Sequence, residues 1–200
     1  MTEGVGRVEA FSDGVFAIAI TLLILEIPVP HADGQASLWS ALAARWPSYL
    51  AFVLSFFVIL VCWVNHHELM RLISRIRYPF LFANGFVLLT VTFIPFPTAV
   101  LAEHLATESA PAAVTFYCAT FVLNSVAWCT LFWTVVRDSL FHAHVDLDTI
   151  QRIRRSYLIG LPIYTAATLV SMVVPALGLL VNVSLNLYWV RLCYRPTHRA

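Results

Sequence analysis

Apolar residues along this chain neither alternate with polar ones nor keep to one side of a helix. They fill long runs, apolar all round, with short polar punctuation between them. A run of about 20 such residues is long enough to cross the hydrocarbon core of a bilayer as a helix. Six runs fit that description: 11–27, ended by Pro28 and Pro30; 46–70; 80–101; 112–136; 157–174; and 177–194, with Pro175 and Gly178 at the turn between the last two. The expected fold is all-α and integral to the membrane. One domain over 1–200 holds six transmembrane helices and leaves no length for an extramembrane domain.

Composition changes this picture little: 60% of residues are hydrophobic, 12% are charged, and the mean hydropathy is +0.81. No soluble surface is built from that. Charge placement adds more. All twelve basic residues are arginines, and arginine near helix ends favours the cytoplasmic side. Arg7 precedes the first run; Arg71, Arg75 and Arg77 follow the second; Arg137, Arg152, Arg154 and Arg155 lie between the fourth and fifth; Arg191, Arg195 and Arg199 close the chain. Only Arg45 falls on the opposite side, beside loops carrying Asp33, Glu103 and Glu108. Both termini are therefore expected in the cytoplasm, as an even number of spans requires. A net charge of +1 gives no basic stripe for a nucleic acid. Cys62, Cys118, Cys129 and Cys193 lack the spacing of a zinc site or disulfide framework and read as small buried thiols. The acidic N-terminus, without a small-residue cleavage site, argues that the first run is retained.

Candidate chemistry concentrates in that first run. Arg7, Ser12 and Asp13 sit at the inner membrane edge, where charge needs a partner. Arg7 and Phe11 share a helix face, while Ser12 and Asp13 point to other sides, towards neighbouring helices. Ile18, Leu22 and Leu25 follow i, i+4, i+7 and form one stripe, flanked by Gly14 and Thr21. Periodicity alone leaves that stripe open to two readings, pore lining or helix packing, because a helix apolar all round always offers some aliphatic triple. Glu26 at the outer end is more specific: a ring of such acids would concentrate cations.

Arg7, three residues, then Phe11-Ser12-Asp13 closely resembles the Arg-x-x-x-Phe-Ser-Asp signature of the transmembrane protein 175 family, the endosomal and lysosomal potassium channels and their bacterial homologues. The likeness continues through Ile20-Thr-Leu-Leu-Ile-Leu-Glu-Ile27, Trp63-Val-Asn-His66-His67, Asn84 and Phe93-Ile-Pro-Phe-Pro-Thr98. The first half carries it specifically, and the rest carries it by hydropathy. The resemblance implies a homotetramer whose four first helices line a central pore in a bacterial inner membrane. It also implies the single-repeat form, and no internal repeat is visible here. By position it implies that Ile18 is the main constriction, that Leu22 and Leu25 are further apolar layers, and that Thr21 is linked to selectivity. The implied ligands are potassium and other monovalent cations in transit, with no cofactor and no bound metal. Without a Thr-Val-Gly-Tyr-Gly loop, the expected gate is an aliphatic ring that closes by dewetting. Potassium selectivity is then modest, and proton leak is not excluded.

His66 and His67 are adjacent, so they point about 100° apart on a helix, unlike a metal-binding i, i+4 pair. The resemblance implies that Trp63, His66, His67 and Asn84 bond with Arg7, Ser12 and Asp13 and brace the pore helix, without saying which histidine does so. Asn124, Asn182 and Asn186 read as interhelical hydrogen-bonders. His142, His144, Asp146 and Asp148 read as a solvated loop. No nucleophile elbow, zincin motif or phosphate loop points to an enzyme. A secondary transporter would show internal repeats and broken helices, for which Pro162 and the Pro95/Pro97 pair are the candidates. A non-conducting membrane subunit is the third reading.

Overall fold

The computed structural model describes residues 3–30 and 37–193. Within them the chain runs through α1 (Glu3–Leu22), a 3-10 turn over Leu23–Glu26, α2 (Leu38–Ala44), α3 (Trp46–Arg71), α4 (Tyr78–Phe93), α5 (Pro95–His104), α6 (Ala110–Arg137), α7 (Leu147–Ser171) and α8 (Pro175–Cys193). Four helical stretches among the described residues are long and apolar enough to cross a membrane: Gly4–Glu26, Trp46–Arg71, Tyr78–His104 and Ala110–Arg137. The last two apolar runs fall in α7 and α8, and the apolar part of α8, Pro175–Val190, is shorter.

Element ends differ from the apolar runs for local reasons. α1 begins at Glu3, before the run at 11, and in its first turns Val5 and Val8 pack on the core. It tightens to a 3-10 turn before Pro28, which disfavours helical geometry at Ile27; that residue is extended, with φ −93° and ψ 104°. The run 80–101 is two helices meeting at Ile94. Pro95 has no N–H to offer the Val91 carbonyl, which takes the Ile94 N–H instead at 3.1 Å. α7 starts at Leu147 instead of 157, since Asp146 caps it by accepting from the Thr149 N–H at 2.7 Å. The short helix α2 was not legible as an apolar run.

Two connections meet at one end of the bundle. Ile73, after α3, pairs with Phe141, after α6, in an isolated antiparallel bridge. The Ser74 N–H donates to the Leu140 carbonyl at 2.8 Å, and the His142 N–H donates to the Leu72 carbonyl at 2.9 Å. Arg75 adds a bond to the carbonyl of Ser139 at 3.2 Å, a non-glycine residue at φ 49°. Arg71, Arg75, Arg77 and Arg137 therefore share this end, whereas Arg45, Glu103 and Glu108 sit at the far ends of the same helices. Asp33, Arg195 and Arg199 lie outside the described residues. Beside the arginines, hydrogen bonds from Arg137 hold the Asp138 carboxyl below its usual range.

α6 is central, packing on α4, α5, α7 and α8. Its buried face carries Tyr117, Phe121, Asn124, Trp128 and Leu131. α7 and α8 form a tight hairpin: at Gly178 an added Cβ would lie 2.4 Å from Ser171 Cβ and 2.8 Å from the Ala167 carbonyl oxygen, so only glycine admits this approach.

Candidate functional site

α1 has two opposite faces. Ser12, Phe16, Ala19 and Leu23, spaced by four, three and four, are fully buried against α3, α4 and α5. On the other side the aliphatic stripe is uncovered: Ile18 is 59% exposed, Leu22 43% and Leu25 74%. Phe11 and Arg7 continue it towards the arginine-bearing end. Beside it runs a second exposed stripe of small residues, Ala10, Gly14, Ala17 and Thr21, of which the sequence pattern showed only Gly14 and Thr21, as flanks of the aliphatic stripe. Its signal was the i, i+4, i+7, i+11 spacing of small side chains, the pattern that lets membrane helices approach closely. Nothing lies within 4 Å of a Cβ added at Gly14.

The 3-10 turn alters the stripe at its outer end. Side chains three apart eclipse in a 3-10 helix, so Leu25 comes closer to stacking over Leu22 than α-helical spacing would bring it. Thr21 donates its hydroxyl to its own helix, to the carbonyls of Ala17 at 3.0 Å and Ile18 at 2.9 Å. Its oxygen keeps acceptor capacity on the exposed face. Glu26, which closes the turn, is half-buried.

The buried face is fixed by a polar chain whose donors can be assigned in turn. Ser12 Oγ donates to the Val8 carbonyl at 2.8 Å, so its oxygen must accept, and Asn84 Nδ2 donates to it at 3.0 Å. That turns Asn84 Oδ1 towards His66 Nε2, 2.7 Å away. An amide oxygen only accepts, so His66 must carry a proton on Nε2. The His66 ring, fully buried, lies between Phe16 and Trp128, with centroids at 5.4 and 6.3 Å. Its Nδ1 has no hydrogen-bond partner among the described residues.

A second clamp lies beside the first. Trp63 Nε1 donates to Asp13 Oδ1 at 2.8 Å, the Trp63 and His67 rings stack at 6.0 Å, and His67 Nδ1 lies 2.9 Å from Glu9 Oε1. The two histidines thus divide the work: His66 serves Asn84 and, through it, Ser12, while His67 serves Glu9. Glu9 was missed in sequence because an acid ahead of an apolar run reads as solvated. Arg7, expected in this cluster, makes no hydrogen bond or ion pair among the described residues. It points out along the Phe11 stripe.

Comparison with known proteins adds independent weight. A family model described as "Endosomal/lysosomal potassium channel TMEM175" matches residues 7–95. A potassium channel of Streptomyces collinus is 47% identical over 157 residues, covering 78% of this chain and 76% of that one. The crystal structure of a lysosomal potassium-selective channel TMEM175 homolog from Chamaesiphon minutus superposes with a TM-score of 0.88 at 39% identity, covering 96% of this chain and all of that one. The endosomal/lysosomal proton channel TMEM175 of Gallus gallus is 46% identical over 77 residues, 34% of this chain and 15% of its own.

Proposed function

The chain belongs to the TMEM175 family, a family of ion channels and not of enzymes, and on that footing we propose that it is a potassium-permeable channel of the cell membrane. In this reading six helices per subunit cross the bilayer, with α4 and α5 as one bent span and the α7–α8 hairpin as the last two. Four subunits gather with their first helices at the centre. Ile18, Leu22 and Leu25 form stacked aliphatic rings, Thr21 presents a ring of hydroxyl oxygens, and Glu26 attracts cations at the outer mouth. The arginine-bearing end, with both termini, faces the cytoplasm.

The observation that carries this is the division of α1. One face is clamped by Ser12, Asp13 and Glu9 to α3 and α4, while the opposite face leaves an aliphatic and a small-residue stripe uncovered along its length. A helix that only filled lipid would need no such buried clamp. A helix that lines a pore must hold its orientation while its other face meets copies of itself. The rings close by dewetting: an ion in an aliphatic constriction loses its water and gains no ligand, so passage waits on the helices moving apart. Potassium passes more readily than sodium because it gives up its water more easily. The names of the bacterial relatives support potassium, and those of the vertebrate relatives, proton channels, support proton passage as well.

Purified protein in liposomes tests this. Wild type should carry potassium faster than sodium, and Ile18→Asn should raise conductance or weaken the preference. If neither conducts any monovalent cation, the reading fails. Flux that requires a counter-substrate would instead favour a transporter, the class to which the break at Ile94 would belong.

A further inference from the structure

Arginines outnumber acids where α3 and α6 end. Arg71 pairs with Glu68 at 3.2 Å, and Arg137 grips both oxygens of Asp138 at 2.9 and 3.2 Å. Arg75 and Arg77 have no ion-pair partner among the described residues, although Arg77 is near enough to help hold the Asp138 carboxyl in its charged form. Around Asp138, three guanidiniums against one carboxylate leave two positive charges unmatched. Two of the three are also held in place. Arg75 donates to the Ser139 carbonyl at 3.2 Å, and Arg137 lies over the Trp133 ring, 4.5 Å from its centroid. Each guanidinium keeps N–H groups that these contacts do not use. Such a fork matches the oxygens of a phosphate, and one already held loses little freedom on binding.

Exposed aromatic rings stand next to this charge on the bilayer side. Trp133 precedes Arg137 by one turn of α6, about 6 Å further towards the bilayer centre. Tyr78 and Phe82 follow Arg77 on the first two turns of α4, and all three rings are exposed. Cations at headgroup level with aromatic rings beneath them form an amphipathic pattern that a soluble phosphate or an acidic peptide would use only in part. A phospholipid uses both parts, with its phosphodiester on the arginines and its chains on the rings. A zwitterionic headgroup would set its own cation against the unmatched positive charge, so the pattern favours a headgroup of net negative charge.

We propose that Arg75, Arg77 and Arg137 form a binding site for an anionic phospholipid of the cytoplasmic leaflet, its phosphate on the guanidiniums and its chains against Trp133 and the α4 aromatics. The site rests on the orientation given above, with this end towards the cytoplasm, and not on conduction. Delipidated protein in detergent, given equimolar phosphatidylglycerol and phosphatidylcholine with the same chains, is weighed by native mass spectrometry. Phosphatidylglycerol should be retained several-fold over phosphatidylcholine. Arg75→Gln with Arg77→Gln should abolish that preference. Should the pair fail to fold, Arg77→Gln alone, which breaks no side-chain hydrogen bond among the described residues, should lower it. Arg154→Gln with Arg155→Gln removes the same charge from exposed positions near the start of α7 and should keep it. Equal retention of the two lipids by the wild type overturns the proposal, and so does equal loss in both pairs of variants, the mark of diffuse attraction. Inorganic phosphate should leave the bound lipid in place; displacement by it overturns the lipid assignment in favour of a soluble phosphate. Because no flux is read, a protein that fails to conduct can still pass this test, and a conducting one can fail it.

Discussion

Asn84 uses both ends of one amide: Nδ2 donates to Ser12 and Oδ1 accepts from His66. Asn84→Leu should therefore cost about 1–3 kcal/mol, because it strands a buried imidazole N–H. Thermal melts in detergent would measure this, and His66→Leu added to Asn84→Leu should recover part of the loss, since both partners then become apolar. Asp146 gives a pH-dependent case. Hydrogen bonds from Thr149 hold its carboxyl below the usual range, so the cap stabilises the folded state above the unfolded-chain pKa and is lost as pH falls through the folded one. The difference in melting temperature between wild type and Asp146→Ala should be present at neutral pH and shrink in acid. Position in the chain singled out Ser12 and Asp13 and adjacency drew notice to His66 and His67, whereas Trp63, Asn84 and the bracing role of the set came only through the family resemblance. Their pairing was beyond reach, because helical period states which face a residue occupies and not how one helix is turned against another.

Gly178 shows a whole hairpin resting on one hydrogen atom. Gly178→Ala should lower the melting temperature markedly, since the new methyl meets Ser171 Cβ and the Ala167 carbonyl oxygen, atoms that cannot move without the backbone. At this scale Pro28 and Pro30 follow the end of the first helical stretch, and Pro95 stands at the join at Ile94. The start of α7 was hidden because its first turns, with Arg152, Arg154 and Arg155 exposed, carry too little apolar residue to register as a span. The 3-10 turn was hidden too: its sequence, Leu-Ile-Leu-Glu, favours α-helix as readily, and only the following prolines force the tighter winding.

At the scale of the whole molecule, the proposed assembly sets the exposed stripe of α1 against copies of the same chain. Ile18→Cys should cross-link subunits under mild oxidation, giving dimers on a denaturing gel, whereas Phe16→Cys, on the buried face, should give none. The arrangement of charge was readable from the sequence because arginine positions depend only on connectivity. The number of subunits was not, since nothing along one chain counts its neighbours. The order of synthesis gives the polar chain of Ser12, Asn84 and His66 a further consequence. All three residues lie within the first 84, so a nascent chain leaving the translocon can pair these buried groups before α6 has been translated. Asn124 and Thr90 find each other only later. Biogenesis of this channel then begins with a first unit, α1 to α4, that enters the lipid with these three polar side chains already matched, and the later helices assemble around it.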